Sequence, residues 1–278
     1  MIPPIYVKPF VKRQKSDRND AEAVVKAAMR PTMKFVAPKT AEQQARAMAF
    51  RARDVLVHQR TQLINSLRGL LAEFGIVAPH GRANVERLCD ELHDPNSILP
   101  DDVVEVGQIM LEQIDRCQDK VNILEKKNRS LAKADINAQR LMTIPGVGPF
   151  TAMAVQAFAP DLKTVENGRH FSAWLGLVPR QKSTGGRPIL GQTLKMGQRD
   201  ILRLLVTGAM SVIRAVTRKG GTPGTWLARM LASKPKKVVA FALANKMARM
   251  IWAVTIKREN YRQPEYVSGQ TAATVLAR

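Results

Sequence analysis

The chain is short of acids. Against 44 lysines and arginines stand 23 aspartates and glutamates in 278 residues, leaving a formal charge of +21 and a pI near 10.6. Such an excess is the footprint of a polyanion binder, whose cations displace counterions from phosphates. A membrane surface is anionic too, so sign alone leaves two partners open. Cysteine is scarce: Cys89 and Cys117 lie far apart and lack metal-ligand spacing, which fits a reducing compartment. The four histidines show no paired ligand pattern. No signal-peptide core opens the chain, because Pro3, Pro4 and Pro9 interrupt it and a basic run follows. The most apolar late stretch, VVAFALANKMARMIWAV, contains Asn245, Lys246 and Arg249. It reads as a packed, basic-faced helix and not a membrane span. A cytoplasmic protein is expected.

What is present is mostly helical patterning. IPPIYVKPFVKRQ has the β-branched and aromatic residues of one extended strand, but no partner strand follows it. Ser16 is placed to cap a helix through DRNDAEAVVKAAM that stops before Pro31. A long helix is expected from about Ala41 to Phe74, with Leu56, Leu63, Leu67 and Leu70 in its apolar stripe and Gly75 ending it. RANVERLCDEL makes a short helix. A second long helix runs from about Asp102 to Ala134, with Ile109, Ile114, Val121 and Leu124 at mixed spacings and flanking charges that suggest a coiled-coil arm. Beyond lie LMTIPGVGPFTAMAVQAF, a Gly-rich polar segment around 181–198, and basic helices.

Three stretches carry chemistry. In IPGVGPFTA, Gly146 and Gly148 permit a tight turn between helices and let backbone N–H groups approach a phosphate. A plain αα-hairpin turn is the alternative. In LVPRQKSTGGRPILGQTLKMGQRDILR, Ser183 and Thr184 precede Gly185 and Gly186, with Arg180, Lys182, Arg187, Lys195 and Arg199 close by. A hydroxyl on a Gly-rich turn is free to meet a phosphodiester, and guanidinium groups stabilise the charge of its transition state. The alternative is a basic loop that contacts DNA backbone and does no chemistry. From Val212 to Arg262, Glu259 is the only acid among a dozen cations, interleaved with Trp226, Trp252 and Tyr261. One-sided charge of this kind fits backbone contacts with nucleic acid, with the tryptophans in the core.

Asp17 and Asp20 are three apart at the start of a helix, on one face. They read either as dipole-favourable first-turn acids or as half of a Mg²⁺ site. A two-metal phosphoryl-transfer centre needs further carboxylates from other elements.

Together YVKPFVKRQKSDRNDAEA, RPTMKFVAPKTAEQQA, LMTIPGVGPFTA and FSAWLGLVPRQKSTGGRPILGQTLKMGQRDILRLL resemble the DEDD transposases of bacterial insertion sequences, the IS-one-ten family and its eleven-eleven subgroup. The resemblance spans essentially the whole chain. It implies a mainly α protein in three parts. These are a truncated RNase H-like (RuvC-like) α/β remnant over 1–37, a helical coiled-coil region over 38–136, and an α-rich transposase domain with a helix-hairpin-helix and serine motif over 137–278. It further implies a DNA recombinase in which Ser183 forms a transient covalent link to DNA, with Thr184 as the alternative position. Asp17 and Asp20 match the last two acids of the Mg²⁺-binding tetrad. The first two lie, in the family, on strands before the one resembling YVKPF. The expectation is therefore either a longer native product or a remnant that binds nucleic acid without catalysis; a non-catalytic helix-hairpin-helix protein is the other reading. The resemblance also implies homo-oligomers and a structured non-coding guide RNA as partners.

Overall fold

The computed structural model describes residues 1–262 except 34, 80, 82–83, 96, 195–196 and 221–223. Its N-terminus departs from the expected strand. Residues Pro4–Val7 form a helical turn (α1) and Lys8–Phe10 a 3-10 turn. Two causes act together: Pro4 and Pro9 stand at helix-compatible first positions with φ already set, and among the described residues no neighbouring strand offers a ladder. Helix α2 (Asp17–Ala28) begins at Ser16, whose hydroxyl accepts from the Asn19 amide at 3.3 Å. It packs principally on α1 and the 3-10 turn.

The middle of the chain is an antiparallel pair of long helices, α3 (Ala41–Ala72) and α5 (Asp101–Ala134). A capping box starts α3: Thr40 Oγ1 accepts from the Gln43 amide, and the Gln43 side chain accepts from the Thr40 amide, both at 3.1 Å. The helices are registered by arginines seven residues apart. Arg46 bonds Gln156 and approaches Asp135, Arg53 binds Glu125 at 2.7 Å, and Arg60 bonds Gln118. Partner numbers fall as the arginine numbers rise, which is the antiparallel sense. Along α5 the seam is Gly107, Ile114, Val121 and Asn128, again seven apart and all buried. Two expected core residues miss this seam by sequence phase. Ile109 is 60% exposed, and on α3 Leu70 is 47% exposed while Leu71 takes the buried place. Helix α4 (Val85–His93) lays Leu88 and Leu92 over the far end, closing a small core with Leu67, Leu71, Leu111 and Ile114.

The larger core lies at the near end of the pair, in the C-terminal part of the chain. Helix α6 (Ile136–Met142) is joined by a six-residue turn to α7 (Pro149–Phe158), and α8 (Gly168–Trp174) follows. Two short antiparallel strands, β1 (Pro179–Gln181) and β2 (Leu190–Thr193), precede α9 (Arg199–Lys219), α10 (Trp226–Ser233) and α11 (Lys236–Lys257). The pair α3–α5 is rooted here: Phe50 meets Phe150 and Phe158 edge-on at 4.8 and 5.6 Å, with Arg53 over the Phe150 ring. Among the described residues α11 alone is long and apolar enough to cross a bilayer. In the fold it is the central core helix, burying Val239, Leu243, Met247, Ile251 and Val254 against α9, α8 and α6. The basic-faced packed helix read from the sequence is what forms.

Candidate nucleic-acid interface and active site

The segment expected as a Gly-rich loop is a β-hairpin. Gly185 and Gly186 have φ of +55° and +74°, the two positive values a type I′ turn requires, and a two-residue glycine turn supplies them without strain. The Arg187 amide donates to Thr184 O at 3.0 Å and the Lys182 amide to Ile189 O at 2.8 Å. Gln181 pairs with Leu190, and a register irregularity below it lets Pro179 face Thr193. The hairpin root is held by buried Leu175 and Leu177; the Asn245 side chain donates to Leu177 O at 2.7 Å, tying it to α11. From Pro179 to Leu190 every residue is exposed.

Strand alternation sorts this hairpin chemically. Arg180, Lys182, Thr184, Arg187 and Ile189 share one face. Gln181, Ser183, Pro188 and Leu190 share the other. Ser183 and Thr184 therefore point to opposite sides. Ser183 Oγ accepts from the Ile189 amide at 3.3 Å, which leaves its own O–H free to donate. Lys195 lies outside the described residues. Arg199 is exposed at the first turn of α9, directly beyond the hairpin.

The two glycines of the GVG turn part company. Gly146 has φ +85°, and a methyl there would meet Gly208 O and Val212 Cγ2 at 2.9 Å. Its requirement is fixed by packing on α9. Gly148 caps α7 and faces open space, with nothing within 4 Å of an added Cβ. The partner that makes Gly146 necessary, Gly208, was not singled out from sequence. An isolated glycine in the apolar run LLVTGAM was its only signal. The turn is seated on α9 at Gly208, and the hairpin leads into the same helix at Arg199, roughly 14 Å of helix away.

Asp17 and Asp20 lie exposed in the first turn of α2. The other acid of that helix, Glu22, is committed elsewhere: Lys12 and Lys26 each reach it at 2.6 Å, and the Lys12 bond above all pulls its carboxyl down to about 2. Among the described residues no group of three or more His, Cys, Asp and Glu side chains could hold a metal ion. Two carboxylates on one turn do not fit a two-metal centre, and the structure does not pack α2 and the hairpin together as a joint site.

The basic helices present Arg214, Arg218, Lys219, Arg229, Lys236, Lys237 and Arg249 to solvent. Their tryptophans are structural. Trp252 donates to Val165 O at 2.9 Å, and Trp226 packs on the core beneath Lys246.

Comparison with known proteins bears on both halves of the chain. Residues 138–221 match the model of the transposase IS116/IS110/IS902 family, and residues 1–76 match a transposase model of the DEDD type of IS110. A probable family 20 transposase of Pseudomonas aeruginosa is 41% identical over 264 residues, covering 94% of this chain and 78% of that protein. The putative transposase y4pF/y4sB of Sinorhizobium fredii is 40% identical over 267 residues, covering 95% and 68%. The transposase for insertion sequence element IS1111A of Coxiella burnetii is 37% identical over 267 residues, covering 94% and 72%.

Proposed function

This chain belongs to the IS116/IS110/IS902 family of transposases, enzymes that recombine DNA, and we propose that it cleaves and rejoins insertion-sequence DNA with Ser183 as nucleophile. The carrying observation is the exposed hairpin that sets Ser183 beside, but not among, a row of cations. In the reaction the Ser183 hydroxyl gives up its proton and Oγ bonds the phosphorus of a phosphodiester. The bond to one deoxyribose oxygen breaks and that oxygen leaves as a hydroxyl. Attack by a hydroxyl of another strand on the phosphoserine then releases Ser183 and joins the strands. Arg180, Lys182 and Arg187 hold DNA phosphates and so position the duplex for the attack. The GVG turn acts as a helix-hairpin-helix element, with Gly148 the position open to a phosphate and Gly146 its packed base.

The DEDD-type match suggests a divalent-metal site. Asp17 and Asp20 are its candidate Mg²⁺ ligands in this chain, and further carboxylates would be needed to complete the centre. By resemblance to its family the chain takes a structured guide RNA and a second copy of itself as partners, and size-exclusion with and without co-purified RNA tests both. Strand exchange on a donor plasmid carrying the element tests the nucleophile. Ser183→Ala abolishes exchange while duplex binding persists, and Thr184→Ala retains it. Exchange surviving Ser183→Ala refutes the assignment.

A further inference from the structure

We propose that the β1–β2 hairpin enters the major groove of B-form DNA tip first, its serine face against one strand and its cationic face against the other. The inference rests on the reading that the chain acts on DNA through Ser183, and goes beyond it by assigning the duplex geometry and the second strand's contacts.

The starting observation is the alternation. A hairpin laid flat on a duplex would use one face only. Here the cations, Arg180, Lys182 and Arg187, share the face of Thr184, whereas Ser183 looks the other way with Gln181. One backbone cannot be gripped by the three cations and attacked by Ser183 at the same point, whereas a ribbon lying between two backbones meets one with each face.

Exposure supports the same arrangement. Ile189 is 47% exposed on the cationic face and Leu190 is 61% exposed on the serine face. Both are left largely open to solvent in the described chain. Insertion covers both, and apolar side chains in the major groove have thymine methyl groups to meet. Charge is complementary as well, since no Asp or Glu occurs between Glu166 and Asp200.

Dimensions decide which nucleic acid fits. A ribbon with side chains on both faces is about 10 Å thick, and four residues from Gln181 to the tip reach about 13 Å. The B-DNA major groove is about 12 Å wide and about 8.5 Å deep, so the tip can reach its floor. The major groove of A-form RNA is too narrow to admit side chains. Arg180, Lys182 and Arg187 thereby become positioning residues: they fix the strand that is not attacked and set the depth of Ser183 on the strand that is.

The test places the photo-crosslinking amino acid p-benzoylphenylalanine at Gln181, at Thr184, or at both together, each position exposed, in the full chain. Each variant is irradiated on a random-sequence DNA duplex whose strands carry different labels, and on an RNA duplex of equal length. Groove insertion gives crosslinks from each single variant and, from the doubly substituted one, single complexes joined to both strands, with DNA yield at least several-fold above RNA. Crosslinks from Thr184 alone, or from both positions to one strand, mean the ribbon lies flat and overturn the proposal. No crosslink from either removes the hairpin from the DNA interface. Loss of exchange in Ser183→Ala is scored separately, so the groove geometry can fail while the nucleophile assignment stands.

Discussion

A methyl group on Gly208 would fall 2.1 Å from the Gly146 carbonyl oxygen, closer than any rotamer change can relieve, because both partners are backbone. The turn that joins α6 to α7 and the middle of α9 are thus seated on each other through two glycines. Gly148, two residues on, has open space in front of it. The pair predicts opposite phenotypes. Gly208→Ala forces α9 and the turn apart and costs about 1–3 kcal/mol, read as a lowered midpoint in urea unfolding. Gly148→Ser keeps a good helix cap and changes stability by no more than about 0.5 kcal/mol, yet weakens DNA binding by placing a side chain where a phosphate would approach. A Gly208→Ala protein as stable as the parent would show that the close seat is not real. A Gly148→Ser protein with parental affinity would leave this turn a purely structural joint.

Elements are held by caps as much as by cores, and α6 shows it. Asp135 ends α5 and caps α6: its Oδ1 accepts from the Asn137 and Ala138 amides at 2.8 and 2.9 Å and from the Gln156 side chain at 2.8 Å. Burial pushes this carboxyl up, but those donors and the nearby Arg46 outweigh it and leave its pKa below the ordinary aspartate value. A depressed carboxyl stabilises the fold above the unfolded-state pKa and loses that contribution as pH falls through the folded-state value. Asp135→Ala therefore costs about 1–2 kcal/mol at neutral pH. Asp135→Asn keeps the cap but not the charge, so the gap between it and the parent narrows as pH drops below 4 or so. A gap constant with pH across thermal melts would deny the charge any part in it. The same scale shows what sequence reading could reach. Caps and stops are local, so Ser16 and Gly75 were legible as helix boundaries. The fate of residues 4–10 was not, since a β-branched run becomes a strand only if another strand lies beside it. Gly-Gly after Ser183-Thr184 was legible as a turn, but its type I′ geometry, and with it the hairpin, depends on φ values that composition does not display.

At the scale of the whole molecule, the positive excess read from composition resolves into separate exposed surfaces: the hairpin, the basic helices α9 to α11, and the N-terminal run around Lys12. The residue types of the candidate site were visible in sequence. What was not visible is their sorting, because opposite faces of a ribbon and the pairing of Gly146 with Gly208 are tertiary facts. The sorting has a thermodynamic consequence. Each phosphate neutralised releases counterions, so the logarithm of the DNA binding constant falls with the logarithm of salt concentration by about 0.9 per contact. If the three hairpin cations each hold a phosphate, replacing Arg180, Lys182 and Arg187 together by glutamine lowers the magnitude of that slope by about 2 to 3. Replacing Arg214, Arg218 and Lys219 on α9 the same way tests a second surface. If hairpin and helix bind one duplex at once, the two reductions add in the combined variant, since sites without shared partners contribute independently. If they engage different nucleic acids, only one triple variant changes the slope on DNA. Fluorescence anisotropy across a salt series measures all four proteins. A hairpin variant with the parental slope would mean that these cations touch no phosphate, and the interface would have to be sought on the helices alone.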